Sequence, residues 1–181
     1  GDAAAIRAQV SEAEIVCPRN QLGGFRGGNN VTRGTKAGAF SVMGDSPEIA
    51  LVQPVDLVSG RFLNRIDLEE RRKVAVIGTR VREVLFGKNE SPIDQSIRIN
   101  GVTFRVIGEF KPKRSGGDRN EEAQTIFVPF TAFQAAFHFG ERVGWFALVS
   151  QSGTPASVVE TKTPALLKER HRVAPDDARA F

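Results

Sequence analysis

The hydrophobic pattern is most regular between residues 60 and 108. Residues 74–77 form an unbroken apolar run, which is typical of a strand buried on both faces rather than on one. A helix is predicted to follow, with Thr79 as its N-cap and Gly87 in the left-handed conformation that ends many helices. Its apolar face contains Val81, Val84 and Leu85.

A β-hairpin is predicted over residues 96–107. Asn100 and Gly101 separate two alternating segments, and a type I′ turn requires positive φ at both of its central positions. The register of that turn assigns each side chain to a face of the hairpin. The apolar face has Ile97, Ile99, Val102 and Phe104, and the polar face has Arg98, Thr103 and Arg105.

Strands and helices alternate through the remainder of the chain, which favours an α+β or α/β fold. Strands are predicted over residues 15–17 (ended by Pro18), 39–43, 125–128 (closed by Pro129) and 145–149. Helices are predicted over residues 2–10, from Thr131 to Gly140, and from 154 to 171 with a break at Pro164. Residues 48–57 have mixed polarity and fit either a helical turn or a strand.

Two polar segments are predicted as loops. Residues 19–38 are rich in Gly, Asn and Arg and fit a loop or an irregular hairpin. Residues 110–124 are charged and glycine-rich, which predicts a long exposed loop. Its basic residues are the candidate partner contacts: Lys111, Lys113, Arg114 and Arg119. The alternative is a solvated loop that binds nothing.

Composition narrows the function classes. The chain has 181 residues, 40% hydrophobic and 25% charged, as in ordinary globular domains. Its net charge of +4 comes from scattered basic residues, which argues against nucleic-acid binding. Cys17 is the one cysteine, so neither an internal disulfide nor a cysteine metal cluster is available within the chain. No apolar run approaches the roughly 18–20 residues that cross a bilayer.

Catalytic and cofactor motifs are not found. Residues 23–28 are glycine-rich but do not stand between a strand and a helix, as a phosphate-binding loop requires. His138, expected to be partly buried, and His171, expected to be exposed, are too far apart in sequence to suggest a metal site. No nucleophile elbow accompanies them, and the carboxylate pairs 121–122 and 176–177 fit solvated charge. The prediction is a domain with no catalytic residues, no cofactor and no metal.

An ordered series of segments resembles the extracytoplasmic domain of MacB/FtsX-type ABC transporter permeases. No single segment is specific, but the series covers nearly the whole chain. The segments are Val42-x-Gly44, Pro47-Glu48, Gly60-Arg61-Phe62-Leu63, Asp67, Val74-Ala75-Val76-Ile77-Gly78, Leu85-Phe86-Gly87, Pro92-Ile93, Ile97-Arg98-Ile99-Asn100-Gly101, Phe104-x-Val106-Ile107-Gly108, Ile126-Phe127-Val128-Pro129 and Leu166-Leu167-x-x-Arg170-His171. Two positions depart from the family pattern: Asp94, where Gly is usual, and Pro164, inside a helix.

The resemblance implies a two-lobed α+β domain. Residues 1–56 and 140–181 would form a porter-like βαβ lobe, and residues 57–139 an inserted, mainly β lobe with a helix. In the family this domain lies between two transmembrane helices, on the extracytoplasmic (periplasmic) face of the bacterial inner membrane. It couples cytoplasmic ATP hydrolysis to efflux, lipoprotein handling or signalling by mechanotransmission.

The implied partners are an ABC ATPase, a second permease copy, and a periplasmic adaptor or substrate protein. By this resemblance the chain would be a domain excised from a membrane protein. The alternative hypotheses are a stand-alone extracytoplasmic ligand- or peptide-binding module and an unrecognised hydrolase, for which no motif was found.

Overall fold

A computed structural model describes residues 13–24, 27–113 and 118–150. The helices predicted over residues 2–10 and 154–171, together with Pro164 and His171, lie outside these residues. The described strands are β1 (Ala13–Leu22), β2 (Val31–Arg33), β3 (Lys36–Gly38), β4 (Ser41–Asp45), β5 (Val55–Gly60), β6 (Val74–Gly78), β7 (Ser96–Ile99), β8 (Val102–Pro112), β9 (Thr125–Pro129) and β10 (Trp145–Ser150). The described helices are α1 (Ile49–Val52), α2 (Arg65–Glu69), α3 (Thr79–Leu85), α4 (Asp118–Ala123) and α5 (Phe130–Ala136).

One mixed β-sheet connects all ten described strands. The strand order is β10-β1-β4-β9-β6-β8-β7-β2-β3, and β5 pairs with β8 beside this path. β4 pairs in parallel with β9, and β6 pairs in parallel with β8. This mixed sheet with several helices confirms the α+β class. The division into two lobes stays a prediction.

The central strands are buried on both faces, as the apolar run at residues 74–77 predicted. All five residues of β6 are buried, and so are all five of β9. Ala75 and Ile77 belong to one hydrophobic cluster, while Val74 and Val76 belong to another. Alternate side chains of a strand point to opposite faces. The sheet therefore separates two cores and is stabilised by both.

The hairpin is confirmed in both its turn and its register. Asn100 and Gly101 have φ values of 48° and 81°, as a type I′ turn requires. Ile97 pairs with Phe104 and Ile99 with Val102. On the apolar face, Ile97, Ile99 and Phe104 are buried and Val102 packs against the same cluster. The side chains predicted for the other face, at residues 98, 103 and 105, are exposed.

Helix α3 exists and uses the predicted face, but its two ends differ from prediction. Val81 and Leu85 are buried, and Val84 packs against the core. The N-cap is Gly78 in extended conformation, so Thr79 is the first helical residue rather than the cap. Gly87 does not have positive φ, because Phe86 already leaves the helix with φ of −125° and ψ of 152°. The chain therefore exits as extended backbone without a left-handed residue.

Helix α5 begins earlier than predicted. Its N-cap is Pro129, and Thr131, where the helix was predicted to begin, lies inside it. The Thr131 hydroxyl instead donates a hydrogen bond to the carbonyl of Leu68, which joins α5 to the end of α2. The prediction for His138 was wrong: its side chain is exposed, because the chain turns there with φ of 59°.

Two other segments are more ordered than predicted, and two contain the structures that were predicted as alternatives. β1 continues past Pro18, which pairs with Phe146 of β10, to Leu22. Residues 19–38 include the hairpin of β2 and β3, and residues 48–57 contain both candidate structures, α1 and the start of β5. The long loop predicted over residues 110–124 was wrong in large part, because β8 extends to Pro112 and α4 begins at Asp118.

Helix α2 was not predicted, although its N-terminus contains a recognisable signal. The Asn64 side chain accepts a hydrogen bond from the backbone N–H of Asp67, and the Asp67 carboxylate accepts one from the backbone N–H of Asn64. This reciprocal pair is a capping box, which satisfies two backbone donors that the helix leaves unpaired. Arg61 also donates to Asp67 from Nη1 at 2.7 Å and from Nη2 at 3.1 Å.

Candidate functional site

The predicted partner-contact loop is divided by the structure. Lys111 lies within β8 and Lys113 directly follows it, and both side chains are exposed. Arg114 lies outside the described residues. Arg119 lies in α4, and its side chain is outside the described part of the chain. Lys111 and Lys113 are therefore held by the end of β8 rather than by a long loop. Their role as partner contacts stays a prediction.

Strand β5 lies next to these lysines and completes an exposed surface. Asp56 pairs with Lys111 across β5 and β8, and the Lys113 Nζ is 3.8 Å from the Asp56 carboxylate. Leu57 and Val58 are 46% and 52% exposed. The register shifts between residues 57 and 59, as in a β-bulge, which lets two consecutive apolar side chains reach solvent. We call Asp56, Leu57, Val58, Lys111 and Lys113 the β5 surface.

A second candidate site is a cleft of about 750 Å³. Its walls come from β1, β4, the ends of α1 and α4, and the glycine-rich segment after β1. The lining residues are Arg19, Gln21, Gly23, Gly24, Gly27, Ser41, Met43, Val52, Gln53, Glu121, Glu122, Gln124 and Thr125. The segment at residues 23–28 is therefore a loop where it is described, as predicted, and its residues Gly23, Gly24 and Gly27 line the cleft.

A buried ion pair lies at the base of this cleft. Arg19 Nε donates to Asp45 Oδ1 at 2.7 Å, and Arg19 Nη2 donates to Asp45 Oδ2 at 3.1 Å. Asp45 is fully buried and Arg19 is 9% exposed. Burial raises the pKa of Asp45 from 3.8 to about 7, although Arg19 acts in the opposite direction. The guanidinium also lies 5.5 Å from the Trp145 ring centroid, which ties this ion pair to β10.

The ion pair continues into the cleft wall through Gln53. Arg19 Nη2 also donates to Gln53 Oε1 at 3.3 Å, and Gln53 Nε2 donates to Glu122 Oε1 at 3.0 Å. Asp45, Arg19, Gln53 and Glu122 therefore form one hydrogen-bonded chain between β4 and α4. We call these four residues the polar chain. Sequence reasoning missed it because its members are far apart along the chain.

The strands nearest to the two ends of the described chain are neighbours. β1 and β10 pair antiparallel from Ala13 opposite Ser150 to Arg19 opposite Trp145. The backbone therefore enters and leaves the described domain at one place.

The described residues contain no cluster of three or more His, Cys, Asp or Glu side chains that could hold a metal ion. Within the same residues, no helix has both the length and the apolar character that crossing a membrane requires.

Comparison with known proteins identifies the family. The sequence model of the MacB-like periplasmic core domain matches residues 1–166. The chain belongs to this family. The family's domain lies on the extracytoplasmic side of ABC transporter permeases, which agrees with the order of segments noted in the sequence.

The curated relatives are ATP-binding/permease proteins. This MacB-like domain is 29% identical over 175 residues to the macrolide export ATP-binding/permease protein MacB of Bdellovibrio bacteriovorus, covering 93% of this chain and 27% of that protein. It is 34% identical over 123 residues to MacB of Chlorobaculum tepidum, covering 67% of this chain and 18% of that protein. It is 31% identical over 144 residues to the pyoverdine export ATP-binding/permease protein PvdT of Pseudomonas putida, covering 78% and 22%. The chain thus spans about a quarter or less of these proteins.

Solved structures share the fold. The periplasmic region of MacB from Actinobacillus actinomycetemcomitans superposes with a TM-score of 0.71 at 22% identity, covering 94% of this chain and 72% of that one. The extracellular domain of the noncanonic ABC-type transporter YknZ from Gram-positive bacteria gives 0.74 at 18% identity, covering 96% and 83%. At these identities the likeness concerns the fold.

Proposed function

We propose that this MacB-like domain is the non-catalytic, extracytoplasmic part of an ABC permease and that it transmits movement. Cytoplasmic ATP hydrolysis would move the membrane helices, and the domain would carry that movement to an output outside the membrane. Its curated relatives are named for macrolide and pyoverdine export, so an export function is the first to test. The ATPase would act through the full-length protein.

The pairing of β1 with β10 carries this proposal. A domain placed between two membrane helices must receive both connections at one side. Ala13 pairs with Ser150, so the described domain begins and ends on two neighbouring strands. Movement of the two helices would then act on one end of a single sheet and be passed on by all of it.

The interior supports transmission because it is closely packed. Hydrophobic clusters cover both faces of the central strands, and packed protein interiors have low compressibility. The Asp67 ion pair with Arg61 and the hydrogen bond from Thr131 to Leu68 further connect α2, β5 and α5. A domain packed in this way would move as a unit. Stiff connections to the membrane helices would be needed to pass their movement to it.

The β5 surface is the candidate contact for a partner outside the membrane. An edge strand with two exposed apolar side chains and neighbouring lysines offers both apolar contacts and charge. A periplasmic adaptor, a substrate protein or a second permease copy could bind there. Leu57 and Val58 are exposed, so their exchange for serine would leave the buried core intact. Loss of export by this variant would show that the β5 surface contacts a partner.

Distances between spin labels test the rigid-body part of the proposal. One label pair joins Arg98 to Glu141 within a copy, and single labels at Arg98 report the distance between two copies of the full-length protein. We expect the distance within a copy to stay constant between nucleotide-free and ATP-bound states, while the distance between copies changes. A change within the copy and none between copies would contradict the proposal.

The cleft of about 750 Å³ favours a second candidate, a stand-alone extracytoplasmic binding module. The two candidates differ in their surroundings. A permease domain requires apolar segments of about 20 residues on both sides of this chain in its gene, and a stand-alone module requires none.

A further inference from the structure

Strand β5 has one free edge among the described strands. It pairs antiparallel with β8, from Val55 opposite Pro112 to Gly60 opposite Gly108, and no other described strand pairs with it. An unpaired strand edge presents backbone N–H and C=O groups, to which another extended chain can form hydrogen bonds. The β5 edge therefore has the groups that are needed to accept one more strand.

Two exposed apolar side chains lie on this edge. They are Leu57 and Val58, which are among the few large hydrophobic side chains that the described residues leave exposed. Leu57 lies opposite the buried Phe110, so both side chains point to the same face of the sheet. Val55 packs against the hydrophobic cluster that contains Phe110. An added strand with apolar side chains on this face would cover Leu57 and extend that cluster.

The other face of β5 is polar. Asp56 lies opposite Lys111, and the Lys113 Nζ is 3.8 Å from the Asp56 carboxylate. Because alternate side chains of a strand point to opposite faces, the edge presents an apolar side and a polar side. A strand that fits it would have apolar and polar side chains in alternation.

The β5 edge is remote from the place where the described chain begins and ends. A row of paired residues crosses the sheet from β5 to β1: Ser59, Glu109, Ile77, Ile126, Val42 and Leu22. Ala13 and Leu22 are the two ends of β1, a strand of 10 residues that spans about 30 Å. The pairing directions make β8 run in the same direction as β1, so the remainder of β5 lies still further from Ala13. Under the proposed function, this edge would face away from the membrane.

We propose that the β5 edge binds an extended segment of a soluble extracytoplasmic polypeptide as an added strand. The apolar side chains of that segment would lie beside Leu57 and its polar side chains beside Asp56. In this mode of recognition, backbone hydrogen bonds supply affinity and the alternating side chains supply specificity. The location outside the membrane rests on the proposed function, whereas the pairing itself does not require that the domain transmits movement.

A defined peptide tests whether the edge accepts a strand. The probe is acetyl-Lys-Thr-Val-Thr-Val-Thr-Lys-amide, and its matched control is the same peptide N-methylated at the three central residues, which keeps every side chain but removes backbone donors. Backbone amide NMR of the ¹⁵N-labelled 181-residue chain measures both. We expect saturable shifts centred on residues 55–60 with the probe and at least tenfold weaker binding of the methylated peptide. Equal binding of both peptides, or no saturable shift in β5, would overturn the proposal.

Exposed side chains provide a second comparison. Leu57→Ser combined with Val58→Ser should weaken binding of the probe at least fivefold, whereas Ile66→Ser, at an exposed apolar residue of α2, should leave it unchanged. Unchanged binding by the double variant would contradict the assignment to this edge. Shifts in β5 when the chain is concentrated without peptide would assign the edge to a second copy and would also overturn the proposal.

The peptide comparison and the spin-label distances can fail separately. Absence of peptide binding would leave the rigid-body result unaffected, and a distance that changes within a copy would leave the peptide result unaffected. The two peptides are compared on the unaltered chain, so their comparison remains decisive if the double variant does not fold.

Discussion

Ala13 lies opposite Ser150 in the antiparallel pair of β1 and β10, so the two ends of the described domain are held side by side. The pairing of β1 with β10 continues to Arg19, which lies opposite Trp145. From Asn20 to Leu22, β1 pairs with β4. Under the proposed function, movement applied at either end would be passed directly into the sheet. We predict in addition that the two segments further out, residues 2–10 and 155–171, lie close together in one lobe.

The hairpin turn should be sensitive to substitution at Gly101. Its φ of 81° disfavours β-branched residues, but a Cβ added there would meet no other atom within 4 Å. Gly101→Val should therefore lower the free energy of unfolding by more than about 1 kcal/mol through backbone strain alone. Gly101→Asn is the matched control, because Asn tolerates positive φ, and it should lose less. Equal stability of both variants in urea denaturation would mean that strain at this turn is unimportant.

Removal of the Asp67 carboxylate should destabilise the domain in a pH-dependent way. Burial acts to raise the pKa of Asp67, but the hydrogen bonds from Arg61 and from the backbone of Asn64 prevail and the pKa is lowered. A lowered pKa gives stability that is present above the ordinary carboxyl pKa and is lost as the pH falls through the folded value. Asp67→Asn should cost about 2 kcal/mol or more at pH 7.

The difference between wild type and D67N should shrink as the pH falls below about 4. Urea denaturation at several pH values measures it, and Glu69→Gln, at the exposed last residue of the same helix, is the control that should change little. A difference that is independent of pH would show that Asp67 acts without its charge.

Asp45 should give the opposite pH dependence. The pKa of Asp45 is raised from 3.8 to about 7 in the folded domain. Between these two pH values the folded domain therefore holds a proton on Asp45 that the unfolded chain has lost. Its contribution to stability is therefore greatest at low pH and declines as the pH rises through that window. Relative to Asp45→Asn, the wild type should be more stable at pH 4.5 than at pH 8. A relative stability that increases toward pH 8 would contradict the buried, proton-binding carboxyl.

Alanine substitutions of three polar residues should leave the biological output of the full-length permease intact. They are His138, whose side chain is exposed, and His171 and Asp176, which lie outside the described residues. The proposal assigns chemistry to none of them. Export of the permease's substrate is the measurement, and loss of export without loss of folded protein would indicate a catalytic or binding role.

The sequence predicted the parts of the fold that depend on neighbouring residues. The strand at residues 74–77 and the Asn100-Gly101 turn have strong local patterns, and both were correct. Helix α2 was missed, although Asn64 and Asp67 have the spacing of a capping box. Helix α4 was missed because the polar composition around it also fits an exposed loop.

The candidate sites could not be predicted in the same way. The polar chain joins Arg19 of β1, Asp45 of β4, Gln53 after α1 and Glu122 of α4, which meet only in the folded domain. A pattern within one segment contains no information about such neighbours. The β5 surface likewise depends on a register shift at Val58, for which the alternation of the sequence gives no signal.

Insertion of a flexible linker is the most direct test of movement transmission. In the full-length permease, a Gly/Ser segment before Asp2 and a second one after Phe181 would decouple the domain, because such linkers behave as random coils. Helical inserts of the same length, of the EAAAK type, are the matched control. We expect the flexible inserts to abolish export while ATPase activity and domain folding persist, and the helical inserts to retain more export. Full export with flexible inserts at both ends would contradict the proposal that this domain transmits movement.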